Sequence, residues 1–564
     1  MTSQPPGEIT ANRVQRISWT ILILVTLCIC YFSQLGVIGF VGPDEPRYAW
    51  IARDMAETGD WVTPRLYGTP WFEKPVLYYW GAALSFKLFG VSEAAARLPS
   101  AVSALFATLA LAWLAWRTYG EECARWLLLL LPTSVGMIGF SHAATTDMPF
   151  AGMLTIAMVC AAVTLGLLRD ENTPILPRTP WVASLLFGFF LGLAVLAKGP
   201  AALILCGSAV FFWAVFTKLW RQALRLLHPA GIASFCLTAL PWYILCALRN
   251  PDFLRIFIIE HNFKRYLTPE FQHVQPFWFY VVVLLIAFLP WSAALLAPTW
   301  LGAQRIQRTR QAAGLTCLLL CWSVFCLLFF TISKSKLPGY ILPAVPAIGL
   351  LMVRVFQTGM KANSRLTAYV CFSGVAVFAA AAGAISVASA KFMRHSHIDG
   401  RFATVAAIVL LLFALANFII ALAAIRRRMQ FYTAAGMVVP LLIAMLSMGW
   451  LMPRIFPLGY SGKTLAQEIL SSGVPPSQIS THGINRGMRY GLNFYLTQEI
   501  PEWDGAHPKN GFLLLGAAEN CNSVADDSAT CEEPPIHLER SRRFLYRVKP
   551  KDSPGRTGGG REPL

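Results

Sequence analysis

Thirteen apolar stretches, each close to the length that crosses a bilayer, leave this chain little choice of architecture. A spanning helix takes about 20 apolar residues. Runs of that kind fall near residues 17–40, 94–118, 123–140, 146–168, 181–197, 200–217, 230–248, 277–297, 312–332, 339–356, 366–388, 403–424 and 431–452. Hydrocarbon offers no partner for a backbone amide, so such runs have to be helical. Only 13% of the 564 residues are charged, against roughly 25% in soluble domains, which excludes a soluble enzyme with a large core. The expected fold is a polytopic α-helical membrane protein of about 13 transmembrane helices.

The net charge of +18 is distributed in a way that orients these spans. With Arg13 and Arg16 on the cytoplasmic side, every second loop is basic. The basic loops hold Arg117 and Arg125; Arg169 and Arg178; Lys218, Arg221 and Arg225; Arg305, Arg308 and Arg310; Lys361 and Arg365; and Arg426, Arg427 and Arg428. Cytoplasmic loops carry this bias, which accounts for most of the positive excess. The remainder suits an anionic ligand or lipid headgroup. Because the basic residues are scattered among apolar spans and form no stripe, nucleic acid is not an expected partner.

The run 17–40 exceeds the apolar core of a signal peptide and lacks a small-residue cleavage site, so it reads as an uncleaved first span. An odd number of spans then places everything after Met452 outside. This tail is richer in Gly, Pro, Ser and acids, with strand-like pieces at 511–515 and 543–548. The expected organisation is a transmembrane domain over 1–452 with juxtamembrane helices on the outer face within 42–90. A small outer α/β domain over 453–564 would follow, ending in a disordered Pro/Gly-rich terminus at 549–564. Eleven of the 13 cysteines lie in or beside apolar runs without metal-ligand spacing and read as small buried hydrophobes. Cys521 and Cys531 sit in the polar tail, where an oxidising compartment would allow a disulfide.

Against this scarcity of charge, the first outer loop stands apart. Residues 42–80 read GPDEPRYAWIARDMAETGDWVTPRLYGTPWFEKPVLYYW, with acids, cations and aromatic rings crowded together. Pro46 biases Glu45 away from helix and suits a first helical turn, so Asp44 and Glu45 fall at a helix N-terminus, where negative charge is stabilised. Simple capping by Asp44 would explain the pair in a soluble protein; at a membrane surface, where ionisable groups are expensive, a catalytic role is the stronger reading.

Asp147, in HAATTDMPF, is a second acidic candidate at the outer end of a span, where it caps a helix or faces a cavity. His142 suits either role. Glu260, His261, Lys264 and Arg265 share the loop EHNFKRYLTPE, and Glu73 with His261 would make a metal pair that no spacing rule supports. The outer turn SKSKLPGY carries Lys334 and Lys336, which the cytoplasmic bias does not explain. With Arg47, Lys74 and Arg265 they would neutralise a phosphate. Glu45, Tyr78 and Tyr340 complete the candidate substrate contacts, while Trp71, Tyr79 and Trp80 suit interfacial anchoring.

At these residues the chain resembles the GT-C membrane glycosyltransferases of the protein O-mannosyltransferase and ArnT group. GPDEPRYAWIARDM carries the shared acidic pair. GDWVTPRLYGTPWFEKPVLYYW, HAATTDMPFAG and SKSKLPGYILPAVPA look like the bacterial aminoarabinose transferase branch, a likeness that extends over about 350 residues. The resemblance implies an inverting pentosyltransferase of the bacterial inner membrane, with its active site and C-terminus periplasmic. Such an enzyme moves 4-amino-4-deoxy-L-arabinose from undecaprenyl phosphate to a phosphate of lipid A or lipid IV(A), giving resistance to polymyxin and cationic antimicrobial peptides.

The resemblance also implies that Asp44 is catalytic, that Asp147 matches a second acidic position, that Lys74 contacts the lipid phosphate, and that a divalent metal such as zinc lies near Glu73. Two other functions are open to the residues. One is a related transferase placing a lipid-linked sugar on protein or polysaccharide, with Asp44 as a base. The other is a lipid or sugar transporter, which calls for charges in mid-span and internal repeats; the sequence shows neither.

Overall fold

A computed structural model describes residues 6–168, 180–264, 274–295, 310–362, 430–455, 461–503, 511–515, 529–539, 541 and 543–550, with single positions 408, 415, 521 and 524. The chain divides into two compact units. One comprises Met1–Leu35, Ala52–Arg65 and Thr69–Leu451; the other comprises Gly36–Ile51, Leu66–Gly68 and Met452–Leu564. The sequence suggested one boundary at residue 452. The division falls beside that position, at Leu451–Met452, and the segment carrying Asp44 groups with the tail.

The first unit is helical. Seven helices among the described residues are long and apolar enough to cross a membrane: Arg13–Phe32, Glu93–Tyr119, Asp147–Thr164, Trp181–Lys198, Pro229–Arg249, Gly314–Ile332 and Pro338–Gln357. The pair Glu121–Leu130 and Val135–Ser141 makes an eighth if counted as one span, although it is bent by 62°. Pro132 lies in the break, where it removes a helical amide and clashes with the preceding turn. Ala201–Thr217 is a shorter apolar helix. The run at 277–297 is not one helix among the described residues: Phe279–Ala287 ends before Pro290, and a short 3-10 turn at Trp291–Ala294 follows. The expected spans at 366–388 and 403–424 lie outside the described residues.

Burial sorts these helices by what they face. In Pro338–Gln357, 89% of the apolar window is buried, which makes it central to its unit. In Pro229–Arg249 only 22% is buried, and Leu237, Leu245 and Leu248 are exposed, as a lipid-facing helix requires. The Pro229–Arg249 helix nonetheless approaches Pro180–Lys198 very closely. A methyl on Gly188 would stand 2.0 Å from the Gly231 carbonyl oxygen. Without water to drive association, close contact through small residues is how helices gain packing energy in lipid.

In the second unit a four-stranded sheet carries the C-terminal residues. Its strands are β1 (Ile479–His482), β2 (Gly511–Leu515), β3 (Ala529–Leu538) and β4 (Arg543–Pro550), in the order β1-β2-β4-β3. The β1–β2 pairing is parallel and the other two are antiparallel. Helices Gly462–Ser471 and Arg486–Leu496 cover it, with Leu465, Ile469, Met488, Leu492 and Leu496 joining Ile479, Leu514 and Leu545 in one core. Cys521 and Cys531 are joined by a disulfide with Cα atoms 6.2 Å apart. Among the described residues the other ten cysteines are free. The C-terminal stretch 551–564 lies outside the described residues.

Candidate active site

The acidic pair opens the helix Asp44–Thr58, as the sequence suggested, and places both acids in its first turn. Their surroundings separate them. The Glu45 side chain is buried, and its Oε2 accepts from the Val41 amide at 2.8 Å. It therefore holds the entering chain. Asp44 stays 47% exposed and accepts from the Arg47 guanidinium at 2.5 Å. Arg47 itself is only 4% exposed, so the pair presents one carboxylate outward over an immobilised cation. A fixed guanidinium of this kind orients a carboxylate geometrically as well as electrostatically.

In the first unit, Asp147 begins one helix and Lys198 ends the next, and the two side chains are ion-paired. Successive antiparallel helices bring those ends to the same side of the bundle. Lys198 Nζ stands 4.8 Å from the Tyr340 ring centroid and 5.6 Å from that of Phe150. Gly339 closes the group: a Cβ there would lie 2.9 Å from Asp147 Cγ. The turn SKSKLPGY thus contributes through Gly339 and Tyr340.

Its two lysines diverge. Lys334 is exposed, whereas Lys336 is buried and donates to the Gln275 carbonyl at 3.1 Å. The two ammonium groups therefore sit in different surroundings. Lys198 was the residue that sequence reasoning missed. The signal for it was an ionisable residue at a span end, next to the Gly199-Pro200 turn.

Lys74 and Glu73 are side by side, with Nζ and Oε1 3.6 Å apart and exposures of 14% and 10%. Phe72 anchors this stretch by an edge contact with Phe253 at 5.2 Å, just before the π-helix Arg255–Lys264 that carries His261. Arg265 lies outside the described residues. Among the described residues no group of three or more His, Cys, Asp and Glu side chains could hold a metal. The ammonium beside Glu73 also competes electrostatically with a divalent ion there. Glu73 and His261 alone do not complete a closed metal site among the described residues.

Tyr78 is fully buried and donates to the Ala96 carbonyl at 2.9 Å. It braces two helices.

His142 is also structural. Its Nε2 donates to the Ser33 carbonyl at 2.8 Å, while Nδ1 lies 3.0 Å from both Ser141 Oγ and the Ile138 carbonyl. Burial lowers its pKa below the usual value, against the opposing effect of those carbonyls. A folded state that disfavours the imidazolium is stabilised fully above the unfolded pKa of about 6.5 and loses that contribution as pH falls below it. The thermal midpoint in detergent is therefore expected to drop between pH 7.5 and 5.5 by more in the native protein than in His142→Gln. An equal drop in both would show that His142 has no part in acid sensitivity.

Comparison with known proteins fits this arrangement. Residues 17–257 match the dolichyl-phosphate-mannose-protein mannosyltransferase family. The chain also superimposes on the crystal structure of ArnT from Cupriavidus metallidurans bound to undecaprenyl phosphate with a TM-score of 0.73. That match covers 94% of this chain and 98% of the other at 23% identity. The fold is that of a GT-C membrane glycosyltransferase.

Two relatives are more similar in sequence. Both are named undecaprenyl phosphate-α-4-amino-4-deoxy-L-arabinose arabinosyl transferase. The Aeromonas salmonicida protein is 30% identical over 514 residues, 84% of this chain and 89% of its own length. The Erwinia tasmaniensis protein is 31% identical over 349 residues, 61% of each chain. The chain belongs to this arabinosyl transferase family. With the Erwinia relative and several others, the matched stretch spans about 60% of the relative's length.

Proposed function

We propose that the protein transfers 4-amino-4-deoxy-L-arabinose from undecaprenyl phosphate to a phosphate of lipid A. The observation that carries this reading is family membership over 84% of the chain, joined to an exposed Asp44 held by a buried Arg47. In the reaction, an acceptor phosphate oxygen attacks the anomeric carbon, the bond from that carbon to the undecaprenyl phosphate oxygen breaks, and the configuration inverts. The acceptor phosphate is largely ionised near neutral pH, its second pKa being about 6, so it needs little help from a general base.

What the transition state needs is charge stabilisation at both ends. Lys74 is the residue for the departing lipid phosphate, with Arg265 as a second cation. Asp44 offers a fixed carboxylate to the positive charge growing on the sugar ring or to its amine. Asp147, neutralised by Lys198, is suited to orienting a polar headgroup, because the pair adds dipole without adding net charge. The alternating basic loops support a topology of 13 spans with a periplasmic outer face, and family membership supports a bacterial inner-membrane location. A cationic sugar on lipid A lowers surface negative charge and so weakens binding of polymyxin and cationic peptides.

The test is mass spectrometry of lipid A from a strain lacking its own transferase, with the donor pathway induced. Aminoarabinose on lipid A is expected with the native chain and absent with Asp44→Ala. Unmodified lipid A despite folded protein and available donor would direct attention to a protein or polysaccharide acceptor.

A further inference from the structure

The helix Arg486–Leu496 of the C-terminal segment lies against the stretch of chain that carries Asp44. Its sequence sets it firmly: Asn485 caps it by accepting from the Met488 amide, and Thr497 ends it in a left-handed conformation at φ 57°. Met488, Leu492 and Leu496 lock it into the core beneath the sheet. Three contacts then reach the residues around Asp44. The Tyr495 hydroxyl accepts from the Phe40 amide at 2.9 Å. Gly487 meets the backbone of Gly42, where a Cβ would come within 2.9 Å of the carbonyl carbon. The Tyr490 ring faces the Arg47 guanidinium, 5.8 Å from its centroid, with Tyr48 also 5.2 Å from that guanidinium.

The Tyr490 ring is itself held in place. Arg486 Nε donates to its hydroxyl at 3.2 Å, and the Arg486 guanidinium lies 5.4 Å from the ring centroid. On another side is Tyr67, 6.4 Å away, which also meets Trp50 at 4.8 Å. Tyr67 has φ 52°, a backbone region that a bulky residue rarely occupies. Such a conformation persists where the surroundings over-determine it, and such positions cluster at functional sites. Rings and guanidinia therefore form a continuous cluster that ends at the exposed Asp44 carboxylate.

We propose that Tyr490 is a positioning residue for the transfer reaction. Its ring fixes Arg47, Arg47 fixes the Asp44 carboxylate, and the C-terminal segment is thereby part of the catalytic apparatus. This inference rests on the reading of Asp44 as the acidic group of a glycosyltransferase. Cation–π contacts strengthen when desolvated, and a small misplacement of a reacting group lowers rate steeply.

The experiment uses the purified full-length chain in nanodiscs, with undecaprenyl phosphate-aminoarabinose and lipid A as substrates. Tyr490→Leu keeps apolar bulk and removes the ring. It is expected to lower kcat about 10-fold with KM for the donor unchanged and with the sheet and Cys521–Cys531 bond intact. Tyr490→Phe keeps the ring and is expected to retain at least about half of the native kcat. Gly487→Ala places a methyl group within 2.9 Å of the Gly42 carbonyl carbon, so the backbone two residues before Asp44 must shift and kcat should fall here too. Native kcat in Tyr490→Leu or in Gly487→Ala would overturn the inference, as would equal losses in Tyr490→Phe and Tyr490→Leu. No transfer by the native chain would instead overturn the reading on which it rests.

Discussion

Asp44→Asn is expected to lower transfer about 10²–10³-fold, the loss seen when one preorganised electrostatic group is removed from a transition state, while the amount of folded protein stays unchanged. The two halves of this expectation come from one geometry. The carboxylate is 47% exposed and stands in the first turn of its helix. There its contribution to folding is the modest one of a charge near a helix N-terminus, about 0.3–1 kcal/mol. The asparagine amide oxygen can still accept from the Arg47 guanidinium, so the loss of folding is small. The chemical cost is larger, because the amide is neutral and offers no charge to the transition state.

Glu45→Gln makes the informative contrast. That side chain is buried and bound to the Val41 amide, so its replacement should appear as lost stability, of the order of 1–3 kcal/mol for a disturbed buried hydrogen bond. Initial rates per mole of folded enzyme, measured beside thermal midpoints, separate the two. An Asp44→Asn enzyme transferring at the native rate would remove Asp44 from the mechanism.

Much of the architecture could be read in advance because membrane spans announce themselves locally. Hydropathy marks a span, and alternating basic loops mark its direction, without any knowledge of which helices touch. What failed locally also had local causes. Pro132 bends one expected span and Pro290 interrupts another, effects that a hydropathy window averages away.

The site was legible to the extent that charge is rare in this chain. Asp44 and Asp147 stand out for that reason, but residue identity does not reveal orientation. Glu45 and Asp44 are adjacent and differ only in the direction they face within one helical turn. Tyr78 and Lys336 face inward to backbone carbonyls, and nothing in their immediate neighbours signals it. Lys198 escaped notice because its partner is 51 residues away. The packing of the Arg486–Leu496 helix onto the Asp44 segment was hidden for the same reason, with Phe40 and Tyr495 separated by 455 positions.

Lys198→Met is expected to destabilise the protein and to abolish transfer, and a second substitution distinguishes the two effects. Lys198 and Asp147 are 13% and 22% exposed and form an ion pair at the ends of two apolar helices. Methionine preserves the stem and its contacts with Tyr340 and Phe150, so the packing lost is small. The carboxylate of Asp147, however, would be left without its cation. Removing one member of a fully buried pair costs about 3–5 kcal/mol; some solvent reaches both groups here, so a loss of about 2–3 kcal/mol is expected.

Gly339 packs against that carboxylate, a Cβ there standing 2.9 Å from Asp147 Cγ, so reorientation of Asp147 is restricted. Replacing both members, as Lys198→Met with Asp147→Leu, removes the uncompensated charge and should return the thermal midpoint close to the native value. If the pair serves the chemistry, transfer stays abolished in this restored protein, because neither the carboxylate nor the ammonium is present to orient the substrate headgroup. If the pair serves only to join two helices, transfer returns together with stability. Thermal midpoints in detergent and lipid A mass spectra, taken on the single and double variants, decide between a catalytic and a purely structural Asp147.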